Sequence, residues 1–487
     1  MSFWSLDNLR RVTRGTWLAR PRRTSPGAVV GLSTDSRAIE PGRAFLALRG
    51  EQFDGHDFLD QAAAAGARVM IVEDRDVVSG SLVEGYEGLC VLLVASTRAA
   101  LGSLARAYRR ELDNTTVIAV TGSNGKTTTV RMIAAALGSV MHGHASEKSF
   151  NNDIGVPLTV LGASPNDRFL VCEVGTNAPG EIEELARMIE PDIAVITNIG
   201  RAHIGAFGGR SALVREKANL LSMVRPGGTA VAPSDCRSLE LHLATAPNVV
   251  RFGRGRDADL VLSRVEQDER GVRFGIVGSD VEFQLPMLGE HNALNGLAAV
   301  AVARAMGVSD QDAARGLLQT RIEPGRLERR TIAGVDVLND AYNASPESAA
   351  AAVETFAALS SGAKRRIVAI GDMLELGADG APAHVELGEV VLRCFGPGGL
   401  GLDMLITVGP MALFVADRVG EGLPDTRLMI HSELDRKQAD LIAERLEPGD
   451  ALLLKGSRRV RMEQIVAALE RKARIERARH APSEVSS

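Results

Sequence analysis

The segment VIAVTGSNGKTTTVRMIAAAL carries the strongest chemical signal in the chain. An apolar strand over 117–120 leads into a turn with Gly122 and Gly125, and a helix is predicted to begin at about Lys126. Such a turn points backbone N–H groups at one spot, at the positive end of a helix dipole, where they bind phosphate oxygens. Lys126 can reach the β- and γ-phosphates of a nucleotide, and the Thr127 hydroxyl can bind Mg²⁺. The sequence therefore predicts a phosphate-binding loop.

Groups able to hold a divalent cation follow two further apolar strands. RFLVCEVG places Glu173 at the end of a strand, where a phosphate-binding loop needs an acid to hold or orient Mg²⁺. Strand 193–197 is followed by His203 in a Gly-rich loop, and Lys217 lies on a predicted helix. A surface carboxylate, a loop histidine and a solvated lysine are the ordinary alternatives. Because FLVC is predicted to be buried, a metal role is favoured for Glu173. These residues alone do not decide whether His203 binds a metal.

The elements that must position these groups alternate between short apolar strands and helical patterns. That alternation is typical of an α/β fold with parallel sheets. Three blocks are predicted, at 1–112, 113–328 and 329–475, followed by a flexible, charged tail at 476–487. The polar segment around Arg326 is the expected linker between the second and third blocks.

Composition excludes several classes of function. Lys and Arg number 56 against 61 Asp and Glu, so the net charge of -5 argues against a basic nucleic-acid-binding protein. Aromatic residues make up only 4% of the chain, which argues against aromatic membrane belts and base-stacking surfaces. No apolar run is long enough to predict a membrane span. Charges in MSFWSLDNLRRVTRG argue against a secretory signal. The four cysteines form no CxxC pair and are expected to be free thiols in a reducing cytoplasm.

Taken in order, these motifs resemble the Mur ligase family of ATP-dependent amide-forming enzymes, over nearly the whole chain. TGSNGKTTT resembles the family's ATP loop, and LGEHNALNGLAAVAVA its adenine-contacting motif, with His291 alongside the two asparagines. PGRLE and DAYNASPES resemble the linker arginine and the start of the third domain, where Asn343 and Ser345 also lie. The resemblance implies ATP contacts from Thr121, Gly122, Ser123, Asn124, Gly125, Lys126, Thr127, Thr128, Asn292, Asn295, Arg326, Asp340 and Tyr342.

The same resemblance implies the cation sites and the catalytic groups. Thr127 is expected to hold one Mg²⁺, while Glu173, His203 and Lys217 hold a second, with Lys217 carbamylated and therefore anionic. Lys126, Lys217, His203 and Arg326 are the implied catalytic residues. The implied architecture is a small α/β uridine-nucleotide-binding domain, a central ATPase-like domain with a parallel sheet, and a Rossmann-like C-terminal domain.

Other segments narrow the branch of the family. STDSR, with PGRAFLALRGEQFDGHDF, resembles the uridine-nucleotide-binding domain, and SFNNDIGVPLTVL resembles the branch that adds D-alanyl-D-alanine. The DNPR motif of the diaminopimelate-adding branch is not present. The implied partners are UDP-N-acetylmuramoyl-tripeptide and D-alanyl-D-alanine, handled by a monomer with ATP and Mg²⁺. The implied substrate contacts are Ser33, Asp35, Ser36, Arg37, Asn151 and Asn152.

Four alternatives remain open. A family member adding a single amino acid, diaminopimelate or lysine, would share most motifs. Folylpolyglutamate synthase shares the ATP loop and ligase chemistry but lacks the uridine-binding first domain. A regulatory ATPase that forms no bond would leave GEHNALN, DAYNASPES and KGSR unexplained. An inactive homologue is disfavoured by the intact Lys126, Glu173, His203, Lys217 and Arg326.

Overall fold

Three sheets follow one another along the chain. The structure is a computed structural model that describes residues 2–20, 29–50, 52–147, 149–424 and 426–480. Over those residues the sheets contain five, nine and six strands. Each sheet is dominated by parallel strands and carries helices, so the predicted three-domain α/β fold is confirmed.

The first sheet has the order β1-β5-β4-β3-β2, and only β1 pairs antiparallel, with β5. The inner strands over Val69–Val72 and Cys90–Leu93 are rich in Val, Ile and Leu and are buried apart from the half-buried Leu93, as expected when both faces of a sheet are covered. The elements are α1 (Leu6–Thr13), β1 (Thr16–Ala19), β2 (Leu32–Ser33), β3 (Ala44–Leu46), α2 (Leu59–Ala64), β4 (Val69–Val72), α3 (Gly80–Gly85), β5 (Cys90–Leu93) and α4 (Thr97–Arg109).

The central sheet has the order β14-β13-β12-β11-β10-β9-β6-β8-β7. The elements are β6 (Thr116–Thr121), α5 (Lys126–Gly138), β7 (Gly143–Ala145), α6 (Gly155–Gly162), β8 (Phe169–Glu173), α7 (Glu181–Ile189), β9 (Ile193–Ile196), α8 (Ile204–Phe207), α9 (Arg210–Ser222), β10 (Thr229–Pro233), α10 (Glu240–Leu243), β11 (Asn248–Gly253), β12 (Leu260–Asp268), β13 (Gly271–Ile276), β14 (Phe283–Leu285), α11 (Asn292–Ala305) and α12 (Asp310–Leu317).

Strand β6 lies inside this sheet, between β8 and β9, and runs parallel to both. Apolar clusters cover its two faces, one holding Ile118 and Val120 and the other Val117 and Ala119. Because β6, β8 and β9 are parallel, their carboxyl ends share one edge of the sheet. Ligands bind at such an edge in open α/β sheets.

The outer edge of the central sheet differs from the all-parallel expectation. Strands β12, β13 and β14 pair antiparallel. Only Glu269 and Arg270 separate β12 from β13, and two residues can join only an antiparallel hairpin. The antiparallel edge therefore follows from connection length.

The third sheet has the order β15-β16-β20-β17-β18-β19, with only β15 antiparallel. A strand over Arg427–His431, which the sequence did not single out, forms its edge. The elements are β15 (Glu328–Ile332), β16 (Val335–Asp340), α13 (Pro346–Leu359), β17 (Arg365–Gly371), α14 (Gly380–Phe395), β18 (Met404–Val408), α15 (Leu413–Gly422), β19 (Arg427–His431), α16 (Arg436–Arg445), β20 (Asp450–Lys455) and α17 (Glu463–His480).

Domain limits stay a prediction, although the segment around Arg326 does connect α12 to β15. Helix α17 extends to His480, into the predicted tail, and residues 481–487 of that tail lie outside the described residues. Across the described part of the chain, every helix is too short or too polar to span a bilayer.

Candidate active site

The loop between β6 and α5 is held in place by the end of β9. The Ser123 amide donates to the Asn198 carbonyl at 3.0 Å, and the Asn124 amide donates to the Asn198 side chain at 2.9 Å. Asn198 Nδ2 returns a bond to the Asn124 carbonyl at 3.0 Å, and Ser123 Oγ accepts from the Gly200 amide at 2.9 Å. Gly125 caps α5 with φ of 78°, a conformation that glycine adopts without strain. The predicted turn is therefore present and rigid.

Two lysines converge on this loop. Lys126 Nζ donates to the Gly122 carbonyl at 2.9 Å, and Lys217 Nζ donates to the same oxygen at 3.2 Å. Lys217 is only 1% exposed, and burial, helped by the charge of Lys126, lowers the pKa of Lys217 to about 7. Burial and the nearby Arg326 also lower the pKa of Lys126. Two basic side chains therefore lie against the predicted phosphate-binding loop.

Side-chain oxygen atoms that could coordinate a cation lie close together where α5 begins. Thr127 Oγ1 donates to Glu173 Oε2 at 2.8 Å, and Asn151 Nδ2 donates to the other carboxylate oxygen at 2.9 Å. Ser149 Oγ lies 3.4 Å from Thr127 Oγ1. Arg326 Nη2, from the linker, donates to Thr127 Oγ1 at 3.0 Å. The structure thus brings Thr127, Glu173, Asn151 and Arg326 together.

The third domain closes the opposite side of this cluster. Tyr342 donates from its hydroxyl to Ser149 Oγ at 2.7 Å, and the Arg326 guanidinium lies 4.2 Å from the centre of the Tyr342 ring. Ser345, the N-cap of α13, donates to the Asn124 side chain at 2.8 Å. The loop from the central domain and the start of the third domain therefore face each other across one cleft.

Asp340 has a structural partner on each carboxylate oxygen. Lys455 Nζ lies 2.5 Å from Asp340 Oδ2, and the Leu327 amide donates to Asp340 Oδ1 at 3.0 Å. The Asp340 side chain is 14% exposed and that of Lys455 4%, so the pair is largely withdrawn from solvent. Asp340 thus ties the linker to the third sheet in addition to its predicted nucleotide contact.

The predicted adenine motif begins α11 directly behind the loop. Asn292 Nδ2 donates to the Leu288 carbonyl at 2.7 Å, and Asn295 Nδ2 donates to Asn292 Oδ1 at 2.9 Å. A Cβ atom on Gly125 would lie only 2.6 Å from Asn295 Oδ1, so the helix and the loop are in close contact. His291, the residue before α11, lines the cavity beside this motif. The motif is placed to meet a nucleotide held by the loop.

These groups line one cavity of about 800 Å³. The sequence-predicted residues among its lining are Ser123, Asn124, Gly125, Lys126, Thr127, Thr128, Asn151, Asn152, Glu173, His203, His291, Asn292, Asn295, Arg326, Asp340, Tyr342, Asn343 and Ser345. Thr121, Gly122 and Lys217 are buried behind that surface.

The predicted uridine-binding residues stand apart from this cavity. Ser33, Asp35, Ser36 and Arg37 form a turn in the first domain and are not among its lining residues. Arg37 donates to both carboxylate oxygens of Asp35, at 2.9 and 2.8 Å, and this pairing lowers the pKa of Asp35 to about 2. A substrate would have to extend from the cleft to reach them.

Several site residues were missed from the sequence. Ser149 joins the phosphate loop to Tyr342 and Arg326, and Asn198 braces the loop. Glu323 pairs with Arg131 at 2.5 Å across the cavity lining. The only signal for Asn198 was its position at the end of an apolar strand. Ser149 begins the SFNNDIGVPLTVL segment but was assigned no role, and Glu323 carried no local signal, because their partners are far away in sequence.

The donor set fits Mg²⁺ bound together with phosphate. Among the described residues, no three His, Cys, Asp or Glu side chains gather as an all-protein metal cage. Mg²⁺ is commonly held by one or two carboxylates, hydroxyls, waters and substrate phosphates instead. Thr127 Oγ1, Ser149 Oγ and Glu173 supply such hard oxygen donors beside the loop.

Comparison with known proteins covers all three domains. Family descriptions match residues 28–109 (Mur ligase family, catalytic domain), 120–303 (Mur ligase middle domain) and 325–458 (Mur ligase, glutamate ligase domain). The chain is 38% identical to the UDP-N-acetylmuramoyl-tripeptide–D-alanyl-D-alanine ligase of Bacillus subtilis, over 96% of this chain and 98% of that protein. It is 33% identical to the ligase of the same name from Escherichia coli, over 90% and 93%.

Comparison with solved structures gives the same family. MurF from Acinetobacter baumannii superposes with a TM-score of 0.81 at 32% identity, covering 96% of this chain and 99% of that one. MurF from Thermotoga maritima, solved in complex with ADP, superposes with a TM-score of 0.75 at 28% identity, covering 92% of this chain and 99% of that one. The likeness to folylpolyglutamate synthase from Mycobacterium tuberculosis, with a TM-score of 0.55 at 19% identity over 76% of this chain, shows a similar fold. With its loop, linker and all three domains matched, this chain belongs to the Mur ligase family.

Proposed function

We propose that the chain is an ATP-dependent ligase that joins D-alanyl-D-alanine to UDP-N-acetylmuramoyl-tripeptide during peptidoglycan precursor synthesis. The observation that carries this proposal is the single cleft in which the Lys126 loop and Glu173 face Arg326 and Tyr342 of the linker and third domain. A plain ATPase needs the loop but has no need of a second domain facing the γ-phosphate. Relatives over the full chain bear this ligase's name.

The first step joins two anions. The terminal carboxylate of the tripeptide attacks the γ-phosphorus of ATP, an acyl phosphate forms, and ADP leaves. Carboxylate and triphosphate repel each other, so positive charge must lie between them. Lys126 and Arg326 supply fixed charge at the loop. Mg²⁺, when bound, supplies the remaining charge, and Thr127 and Glu173 are the residues that would hold it.

The second step forms the amide. The neutral amine of D-alanyl-D-alanine attacks the acyl carbon, and the bond from that carbon to the phosphate oxygen breaks. Inorganic phosphate leaves with the electron pair, and the nitrogen loses one proton. Water would hydrolyse the acyl phosphate, so the cleft must close during reaction. Contacts of Ser345 with Asn124 and of Tyr342 with Ser149 already join the two domains. These contacts shield the reacting atoms.

Several finer assignments belong to this proposal. Asn151 and Asn152 line the cleft and are assigned to substrate, while Ser33, Asp35, Ser36 and Arg37 are assigned to the distant uridine end. Carbamylation of Lys217 stays a prediction, and the lowered pKa of this buried amine favours the neutral form that reacts with CO₂. We place the reaction in the cytoplasm with ATP and Mg²⁺ and expect a monomer. The free cysteines support that location.

A substrate panel tests the proposal. ATP is supplied with the tripeptide nucleotide, with D-alanyl-D-alanine, with both, and with single amino acids in place of the dipeptide. Phosphate release and product mass are followed together. Release with stoichiometric amide formation only when both partners are present supports the ligase. Release without either partner supports a plain ATPase, and product from diaminopimelate or lysine supports another branch of the family.

A further inference from the structure

The loop that carries His203 is packed against the third domain. Helix α8 directly follows this histidine in the central domain's sequence. Its side chains Ile204 and Phe207, each 7% exposed, share an apolar cluster with Met373 and Leu376 of the third domain. The segment therefore depends on the third domain for part of its packing.

Polar contacts reinforce this attachment. The Gly205 amide donates to the Glu375 carbonyl at 3.1 Å. A Cβ atom on Gly205 would lie 2.7 Å from the Gly377 nitrogen, so the two backbones meet directly. Arg201, two residues before His203, pairs with Glu386 at 2.6 Å. The attachment thus has contacts on both sides of the histidine.

One contact goes to the imidazole itself. His203 Nδ1 lies 2.5 Å from Glu375 Oε2, and their side chains are 20% and 51% exposed. Both residues are held at positive φ, 64° for His203 and 66° for Glu375. Strained backbone of this kind persists where surrounding contacts enforce it, and it clusters at functional sites. The two residues come from different domains, and both have a strained backbone where their side chains meet. We therefore take their contact to be specific.

We propose that Glu375 is a positioning residue that orients His203 toward the divalent cation only when the third domain is docked. A carboxylate that accepts from Nδ1–H leaves Nε2 as the free lone pair, and such carboxylates commonly orient metal-bound histidines. Docking of the third domain and completion of the cation site are then one event. The inference rests on the proposed function and on the second cation site that the family resemblance implies, with His203 as one of its ligands.

A purely structural role in domain docking explains the position of the Glu375 side chain less well. Its backbone carbonyl already makes the docking bond to Gly205, and Arg201 supplies an ion pair to Glu386. The side chain of Glu375 is free to turn into solvent, yet it lies against the imidazole. Glu386 therefore provides a matched control, because it joins the same domains without touching His203.

The test uses the full chain with Mn²⁺, a non-hydrolysable ATP analogue and the tripeptide nucleotide. Pulsed electron paramagnetic resonance reports the nitrogen coupling of an imidazole bound to Mn²⁺, with His203→Ala as the blank. We expect Glu375→Ala to lose this coupling and to weaken Mn²⁺ binding by about tenfold. Glu375→Gln, whose carbonyl still accepts from Nδ1, should keep most of the coupling, and Glu386→Ala should match the wild type.

The outcomes separate the two ideas. Wild-type coupling and affinity in a folded Glu375→Ala variant would overturn the role of Glu375. Equal losses in Glu375→Ala and Glu386→Ala would also overturn it, because docking alone would then explain the effect. If the wild-type protein forms product but shows no imidazole coupling, His203 is not a ligand and the inference fails alone. Absence of product from the wild-type protein would instead contradict the proposed function.

Discussion

Replacing Gly122 with Ala gives a sharp test of the phosphate loop. At φ of 154°, this glycine has a backbone conformation that other residues rarely adopt. An added Cβ atom would lie 1.9 Å from Thr197 Oγ1 and 3.2 Å from the Asn198 nitrogen. Thr197 Oγ1 donates to the Asn124 carbonyl at 2.5 Å, so its displacement breaks a bond that shapes the loop.

The magnitude follows from two terms. Backbone strain of this type costs about 1–3 kcal/mol. Loss of a neutral hydrogen bond costs about 1 kcal/mol more. The Gly122 carbonyl also orients Lys126 and Lys217, so displacement of the loop disturbs both side chains. If about 3 kcal/mol is lost from the transition state, the ligation rate falls by roughly two orders of magnitude.

Steady-state phosphate release and product formation measure this effect, and thermal unfolding checks the fold. Gly138→Ala is the matched control, because Gly138 ends the same helix α5 with open space where a Cβ would lie. That control should keep full activity and gain up to about 1 kcal/mol of stability. Near-wild-type kcat in folded Gly122→Ala would refute the reasoning that loop geometry limits the reaction.

Three further variants probe the cleft. Lys126→Ala should abolish ligation with the fold intact, because it removes a cation from the phosphate path; circular dichroism checks the fold, and substantial residual ligation would count against the loop. Lys217→Ala should cripple turnover, and short-chain carboxylates should partly restore it if an anionic carbamate is the active form; an unchanged rate would remove Lys217 from the site. Asp340→Asn leaves Lys455 buried without a counter-charge, so the free energy of unfolding should fall by about 3 kcal/mol. Urea titration measures this change, and an unchanged midpoint would show that the pair is not stabilising.

The parts predicted well from sequence were those encoded locally. The strand, turn and helix around Lys126 follow from an apolar run, two glycines and a good helix-forming stretch within a few residues. Glu173 was found because a carboxylate after four buried residues is unusual. The parallel order of most strands also follows from helices placed between them.

The parts not predicted depend on pairing across long stretches of chain. Ser149 meets Tyr342, and Arg131 meets Glu323, across almost two hundred residues of sequence. The sequence around each residue does not indicate its partner in the other segment. Glu375 lies in the segment GDMLELG, and only the folded chain shows that its side chain faces His203. The domain limits and the roles of individual site residues stay predictions for the same reason.

The apolar packing of α8 has a thermodynamic consequence for domain movement. Separation of the central and third domains would wet Ile204 and Phe207, which are now buried beside Met373 and Leu376. Exposure of apolar surface raises heat capacity, so closing the cleft lowers it. Ligand-driven closure should therefore release more heat as the temperature rises, and cold should favour the open form.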